Sequence, residues 1–232
     1  MKRNVHHKPD TRLKTRIDPK VMPGTKQSAE ERWALSIPLL NTPGQQYVEG
    51  RRIPPGLAQD AEVRFDRNWN GRPAVLAAMR GLHGELCSVH GRYLQRSGDE
   101  NKMLTIGPGG GILSIGDALE SDIIIFVEGL FDALTLSLCG YSSLATVGRV
   151  APWLPAVCKE KIVVLAFDGN HPGDANAHFY EQFLEGAQTY RLNPPGHSKD
   201  WNSALLKQGK ATVEQWLRIN IARLTNAKTL AT

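Results

Sequence analysis

The sequence predicts an α/β fold in which a parallel sheet flanked by helices follows a small α+β subdomain. Three observations carry that reading. In the second half of the chain, short apolar runs alternate with helix-length amphipathic segments, the pattern of β-α units whose sheet is covered on both faces. Ahead of it, apolar runs are separated by Asn70-Gly71, His83-Gly84 and Ser97-Gly98, the punctuation of antiparallel hairpins. The 232 residues, 41% hydrophobic and 22% charged, suffice to bury a core in one domain or two small ones.

The chain opens on a basic arm. Residues 1–20 carry seven Lys or Arg against Asp10 and Asp18, which accounts for the whole formal charge of +5 and leaves the remainder neutral. Pro9, Pro19, Pro23 and Gly24 interrupt any period, so residues 1–27 are expected to be irregular. Such an arm either attracts a phosphate backbone by counterion release or is a solvated tail. Ser28, with Glu31 three positions on and Trp33, Leu35 and Ile37 behind it, has the form of a helix start, and the helix ends near Pro38. Residues 47–50 and 57–61 read as short helical pieces about Ile53-Pro54-Pro55-Gly56. Residues 63–65, 73–79, 86–94 and 112–115 read as strands of a β-rich unit, making 28–118 one helical and β-rich subdomain. The string Gly107-Pro108-Gly109-Gly110-Gly111 lacks the Gly-Lys-Ser/Thr ending of a P-loop and reads as a connector.

From residue 119 to 208 the period is that of β-α units: strands at 123–127, 142–147, 162–167 and 187–192, and helices at 131–138 and 175–184. Residues 209–232 contain an amphipathic helix at 212–224 that packs back on the body. The apolar runs are too short to cross a bilayer, and no apolar stretch follows the basic arm as a secretory signal requires. A cytoplasmic protein without a membrane partner is expected. Cys87, Cys139 and Cys158 are too few and too scattered for a disulfide framework or a zinc site, and are expected to be small buried hydrophobes.

Ligands of parallel sheets bind at the carboxyl ends of the strands. Three polar clusters fall there: Glu128-Gly129 after IIIFV, Asp168-Gly169-Asn170 with Pro172-Gly173 after VVLAF, and His197-Ser198-Lys199-Asp200-Trp201-Asn202 after the fourth strand. Carboxylates gathered at one edge repel unless a cation sits among them. Hard oxygen ligands suit Mg²⁺ or Mn²⁺, which keep positions open for phosphate oxygens, and the chemistry implied is phosphoryl transfer. Taken singly, Glu128 caps a helix and Asp168 organises a turn. Trp69, Trp153 and Trp201 have rings that can stack on bases, Trp201 being the better candidate for packing.

Taken together, these strings resemble the topoisomerase-primase (Toprim) domain, in the version found in bacterial-type (DnaG-like) primases and their plasmid, phage and mobile-element relatives. Glu-Gly with Asp132 four residues on, Asp-Gly-Asn with Gly173 after it, and Lys-Asp-Trp-Asn follow that family's order. Upstream, YVEGRRIPPGLAQDAEVRF, RPAVLAAMRGLHGELCSVHGRYL and NKML are similar to segments of the primase branch, and the match runs from about Tyr47 to Leu206.

The resemblance implies a Toprim-type parallel sheet and a metal-dependent nucleotidyltransferase that makes short primers on single-stranded DNA from nucleoside triphosphates. It makes Glu128 and Asp168 the catalytic acids and metal ligands, with Asn170 and Asp174 as further members of the metal set. Arg92, Lys102, Arg149, Lys199 and Asp200 are implied to bind nucleic acid or nucleotide. The family's second acid is Asn170 here, which keeps a carbonyl oxygen and loses the charge. Two other functions follow from that departure and from the shared acids: a catalytically weak Toprim module binding single-stranded nucleic acid or a replication partner, and a Toprim nuclease. No segment matches the family's zinc-binding or helicase-binding domains. No zinc is therefore expected, and a replicative helicase or a separate zinc-binding protein is implied as a partner.

Overall fold

The computed structural model describes residues 21–22, 25–95 and 101–229, and contains two sheets. The basic arm of residues 1–20 and the Ser97-Gly98 turn lie outside the described residues.

The first sheet has the order β1-β6-β5-β4-β3-β2: β1 Val21–Met22, β2 Ile37–Pro38, β3 Arg64–Trp69, β4 Arg72–Arg80, β5 Leu86–Tyr93 and β6 Met103–Ile106. Asn70 and Gly71 both take positive φ, 49° and 91°, which gives the β3–β4 turn the twist that a two-residue hairpin needs. β4 is buried on both faces. Ala74 and Leu76 pack with Trp69, Val89 and Ala29 of helix α1 (Lys26–Leu35), while Val75, Ala77 and Met79 face the main core. A continuous apolar run rather than alternation is the signature of a strand covered on two sides.

Helix α1 starts two residues before the sequence signal. Its cap is Thr25, whose Oγ1 accepts the Ser28 N–H at 3.1 Å, so Ser28 stands inside the first turn. Helices α2 (Pro43–Gly50) and α3 (Pro55–Asp60) each begin at a proline, whose missing N–H costs nothing there.

The second sheet has the order β11-β10-β8-β9-β7: β7 Leu113–Ile115, β8 Ile123–Val127, β9 Ser143–Ala145, β10 Ile162–Leu165 and β11 Gln188–Arg191. β8, β9, β10 and β11 are parallel, and β7 closes the edge antiparallel to β9. The run at 112–115 therefore belongs to this sheet and not to the hairpins, to which it is joined by a bridge between Arg80 and Ile112. On one face Ile125, Val127, Ile162 and Val164 share the main core with helices α4 (Leu130–Leu138), α7 (Trp201–Gln208) and α8 (Lys210–Thr229). On the other, Ile124, Phe126, Val163 and Leu165 pack against α5 (Leu154–Cys158) and α6 (His171–Phe183). The mixed α/β architecture is the one expected.

Strand β6 and helices α5 and α7 carry too few residues, or too polar a start, to have stood out in the sequence. Cys139 and Cys158 are buried, Cys87 is half-buried, and all three are free thiols. No described helix is long and apolar enough to cross a membrane.

Candidate functional site

A cleft of about 320 Å³ lies between the two sheets. Its walls differ in charge. Glu128, Asp132, Asp168 and Asp200 line it from the second sheet with Lys199, and Arg51, His90, Arg92 and Lys102 line it from the first sheet and the helices beside it.

Each acid is placed by a strand end or a helix start. Glu128 follows β8 directly, and Gly129 caps α4 in extended conformation. Asp168 stands three residues beyond β10, on a loop pinned by glycines. A Cβ at Gly169 would lie 2.8 Å from the Ser198 carbonyl oxygen, and one at Gly173 would lie 2.0 Å from that of Asp168. The Asp-Gly-Asn…Gly spacing thus lets the 168–173 turn press against the 197–200 loop, a contact closed by the Gly169 N–H donating to the Lys199 carbonyl at 2.7 Å. Asp200 caps α7, its Oδ1 accepting the Ser203 N–H at 2.6 Å. Trp201 is buried, its Nε1 donating to the Ala166 carbonyl at 2.7 Å, so it fixes this loop by packing. Trp69 is likewise buried, bonded to the Leu104 carbonyl, and neither ring is open to a base.

The acidic wall is electrostatically unsatisfied. Burial, then Glu128 and Asp200, push the Asp168 carboxyl up to about 7, against the pull of Lys199. Burial, with Asp200 and Asp168 adding, pushes Asp132 to about 8, although its Oδ1 accepts the Asn202 N–H at 3.1 Å. Glu128 is raised as well, mainly by burial, and its Oε2 is buried with no hydrogen-bond partner among the described residues. Orphaned buried oxygens are rare in folded proteins and call for a counter-charge.

The opposite wall is well braced. Arg51 lies over the Tyr47 and Phe131 rings, 5.4 and 5.0 Å from their centroids, and donates to the Tyr47 hydroxyl at 3.2 Å and to Asn202 Oδ1 at 3.3 Å. Arg92 Nε reaches the same Tyr47 oxygen at 3.4 Å. Asn202 returns a bond from Nδ2 to the Arg51 carbonyl at 3.0 Å, tying the two walls together. His90 is 3% exposed, bonded through Nδ1 to Thr105 Oγ1 at 2.9 Å. Burial first, then Arg92 and Arg149, hold its pKa down to about 3, so it is neutral.

Of the residues expected from sequence, Glu128, Asp168, Arg92, Lys102, Lys199 and Asp200 come together in the cleft. Asn170 does not offer its carbonyl oxygen there: Oδ1 caps α6 by accepting the Gly173 N–H at 2.9 Å, and its Nδ2 approaches Asp168 Oδ2 at 3.5 Å. Asp174 is turned away, exposed, and paired with Arg191 at 3.0 Å. Arg149 follows Val147 and Gly148, which line the cleft, and itself sits half-buried beside Gly109. Arg51, Tyr47 and His90 were not singled out, whereas Asn202 was, as the end of the Lys-Asp-Trp-Asn string. Arg51 and Tyr47 stand inside the YVEGRR string and His90 inside the CSVHGRYL string, both of which carried the resemblance.

A family described as a domain of unknown function (DUF7146) matches residues 23–108. No curated protein matches the chain by sequence. Among solved structures, the zinc-binding and RNA polymerase domains of Aquifex aeolicus primase superpose with a TM-score of 0.63 at 17% identity, over 83% of this chain and 60% of that one. The RNA polymerase domain of Mycobacterium tuberculosis primase DnaG, in complex with a double-stranded DNA oligomer with a 6-nucleotide overhang, gives 0.61 at 17%, over 83% and 79%. The Escherichia coli primase catalytic core gives 0.59 at 18%, over 83% and 79%. The chain spans about three fifths of the Aquifex fragment. The fold is a mixed α/β fold with a parallel sheet flanked by helices. It is the fold of bacterial, DnaG-like primase catalytic cores.

Proposed function

We propose that this chain is a primase-like nucleotidyltransferase of the Toprim class, of the plasmid, phage or mobile-element variety. It synthesises short primers on single-stranded DNA from nucleoside triphosphates with Mg²⁺ or Mn²⁺. The observation that carries this reading is the cleft itself: the acids Glu128, Asp168 and Asp200 face Arg51, Arg92 and Lys102 across it.

The residues present fit a divalent cation. Glu128 Oε2 is buried with no hydrogen-bond partner among the described residues, and the raised carboxyls of Glu128 and Asp168 are those a nearby cation would ionise. Among the described residues no three His, Cys, Asp or Glu side chains are already gathered closely enough to hold an ion. Glu128 and Asp168 would hold it as a pair, with Asp200 near, and leave the remaining positions to water and phosphate oxygens. Bound there, Mg²⁺ supplies charge stabilisation to a phosphoryl group in transfer. The chain's own residues do the rest. Arg92, Lys102 and Lys199 offset polyphosphate charge, Arg51 and Tyr47 form a fixed, partly aromatic surface for a strand, and Asp132, whose Oδ1 accepts the Asn202 N–H, holds Asn202 and through it Arg51. A replicative helicase or a separate zinc-binding protein completes the proposed partner set.

Labelled nucleotide incorporation on unprimed single-stranded DNA, with Mg²⁺ and then Mn²⁺, tests this. Wild type should make primers, and Glu128→Ala and Asp168→Ala should not; equal synthesis by all three contradicts the reading. One observation favours a second function. Residue 170 is Asn where the resembled family has an acid, and its carbonyl oxygen is spent on the helix cap, which suits a module that binds single strands without extending them. Synthesis by Asn170→Asp alone would select that reading, and nicking of plasmid DNA would select a nuclease.

A further inference from the structure

We propose that Arg149 and the Gly107–Gly111 loop form a phosphate-binding subsite adjoining the cleft, which takes either the polyphosphate tail of a nucleotide or a phosphodiester of the strand. The choice of phosphate as ligand rests on the function proposed above; the existence of an anion site rests on the following observations.

Nε and Nη2 of Arg149 are buried and have no hydrogen-bond partner among the described residues. No carboxylate pairs with this guanidinium among the ion pairs of the described residues. His90, close enough for both Arg149 and Arg92 to act on it electrostatically, is neutral and offers no counter-charge. A guanidinium in this state lacks an anion, since unmade bonds at buried N–H groups are costly and ordinarily filled.

The surroundings are built and fixed. The Arg149 N–H donates to the Thr146 carbonyl at 2.8 Å, and its own carbonyl accepts from the Tyr180 hydroxyl at 2.9 Å. The glycine loop is fastened by the Gly109 N–H to Ser88 Oγ at 3.2 Å and by Trp153 Nε1 to the Gly110 carbonyl at 2.8 Å. Gly107 and Gly111 are explained by close packing, since a Cβ would stand 2.4 Å from the Cys87 carbonyl oxygen at the first and 2.7 Å from that of Met79 at the second. The middle of the loop is different. A Cβ at Gly109 would meet only Arg149 Nη1, at 3.1 Å, and at Gly110 nothing lies within 4 Å. Gly148, next to Arg149 and on the cleft wall, is equally open. Nη1 borders this open space, and a phosphate entering it would draw the guanidinium round to offer two N–H groups in parallel, a geometry that arginine favours. Because Val147 and Gly148 line the cleft, a phosphate held here is continuous with a polyanion lying in it.

Thermal unfolding of the full chain at constant ionic strength tests the subsite, with tripolyphosphate and, separately, an oligodeoxythymidylate of about 16 nucleotides as probes. At ten times its dissociation constant, a bound probe raises the wild-type Tm by about 3–6 °C. Arg149→Met and Arg149→Gln should lose at least half of that rise and, without probe, should melt no lower than wild type, because they remove an unpaired buried charge. A rise with tripolyphosphate alone assigns the subsite to the nucleotide tail, and a rise with the oligomer alone assigns it to the strand. The proposal is overturned by a wild type that answers neither probe, by variants that answer as wild type does, or by variants that melt several degrees lower or fail to fold. Primer synthesis is not the readout, so an inactive enzyme does not overturn the subsite, nor an absent subsite the enzyme.

Discussion

The two walls of the cleft are built on opposite physical terms. The first-sheet wall is satisfied: Arg51 rests on two rings and shares hydrogen bonds with Tyr47 and Asn202, and His90 is bonded to Thr105. The second-sheet wall is not: Glu128 has an oxygen with no partner among the described residues, and Asp132 and Asp168 are pushed to about 8 and about 7 by burial and by neighbouring carboxylates. Under the proposed function, the satisfied cationic wall would serve as a preformed surface for a strand, and the frustrated acidic wall would take a cation. Charge alone does not distinguish the two; the number of bonds each charge makes does.

The largest effect should come from emptying the acidic wall. Asp168→Ala or Glu128→Ala should lower primer synthesis at least about 100-fold, while oligonucleotide affinity in a gel-shift or anisotropy titration stays within a few-fold of wild type. Next comes the turn that carries Asp168. Gly173→Ala places a Cβ on the Asp168 backbone, and should cost about 1–3 kcal/mol in denaturant unfolding and reduce synthesis as Asp168 moves. On the other wall, Arg92→Ala should weaken single-strand binding by about 10-fold and make the slope of log affinity against log salt shallower by about 0.7, with ion affinity unchanged.

The smallest effect is a pH dependence of stability without divalent ions. Asp132 and Asp168 titrate higher folded than unfolded, so between about pH 4 and pH 8 the native chain binds more protons than the unfolded one. Their contribution is therefore full below the unfolded carboxyl range and is lost as pH rises through the folded values. Tm should fall over that window more steeply than in Asp132→Asn, and Mg²⁺ should flatten the fall. A flat wild-type profile would mean that the acidic wall is not frustrated.

Much of this was legible in the sequence. Glu128 and Asp168 stand directly behind the apolar runs 123–127 and 162–167, which announce strand and edge together. The partner wall was less legible because its residues come from a different sheet. Arg51 meets Asn202 across 151 positions of sequence, and His90 enters the cleft only because β5 pairs with β6. Polar residues near a helix start were the ambiguous ones. Thr25 rather than Ser28 caps α1, Asn170 caps α6 with the oxygen a metal would have used, and Asp174 one turn on faces Arg191. In each case a local backbone N–H or an ion pair competes for the same oxygen, and spacing along the chain does not say which partner wins.

The central claim, that one wall serves a cation and the other a strand, is tested most directly by measuring Mn²⁺ affinity and single-strand affinity on the same two proteins, Asp168→Ala and Arg92→Ala. The expected result is a crossover: Asp168→Ala loses the ion and keeps the strand, and Arg92→Ala keeps the ion and loses the strand. Loss of the strand by Asp168→Ala, or of the ion by Arg92→Ala, in correctly folded protein would contradict it.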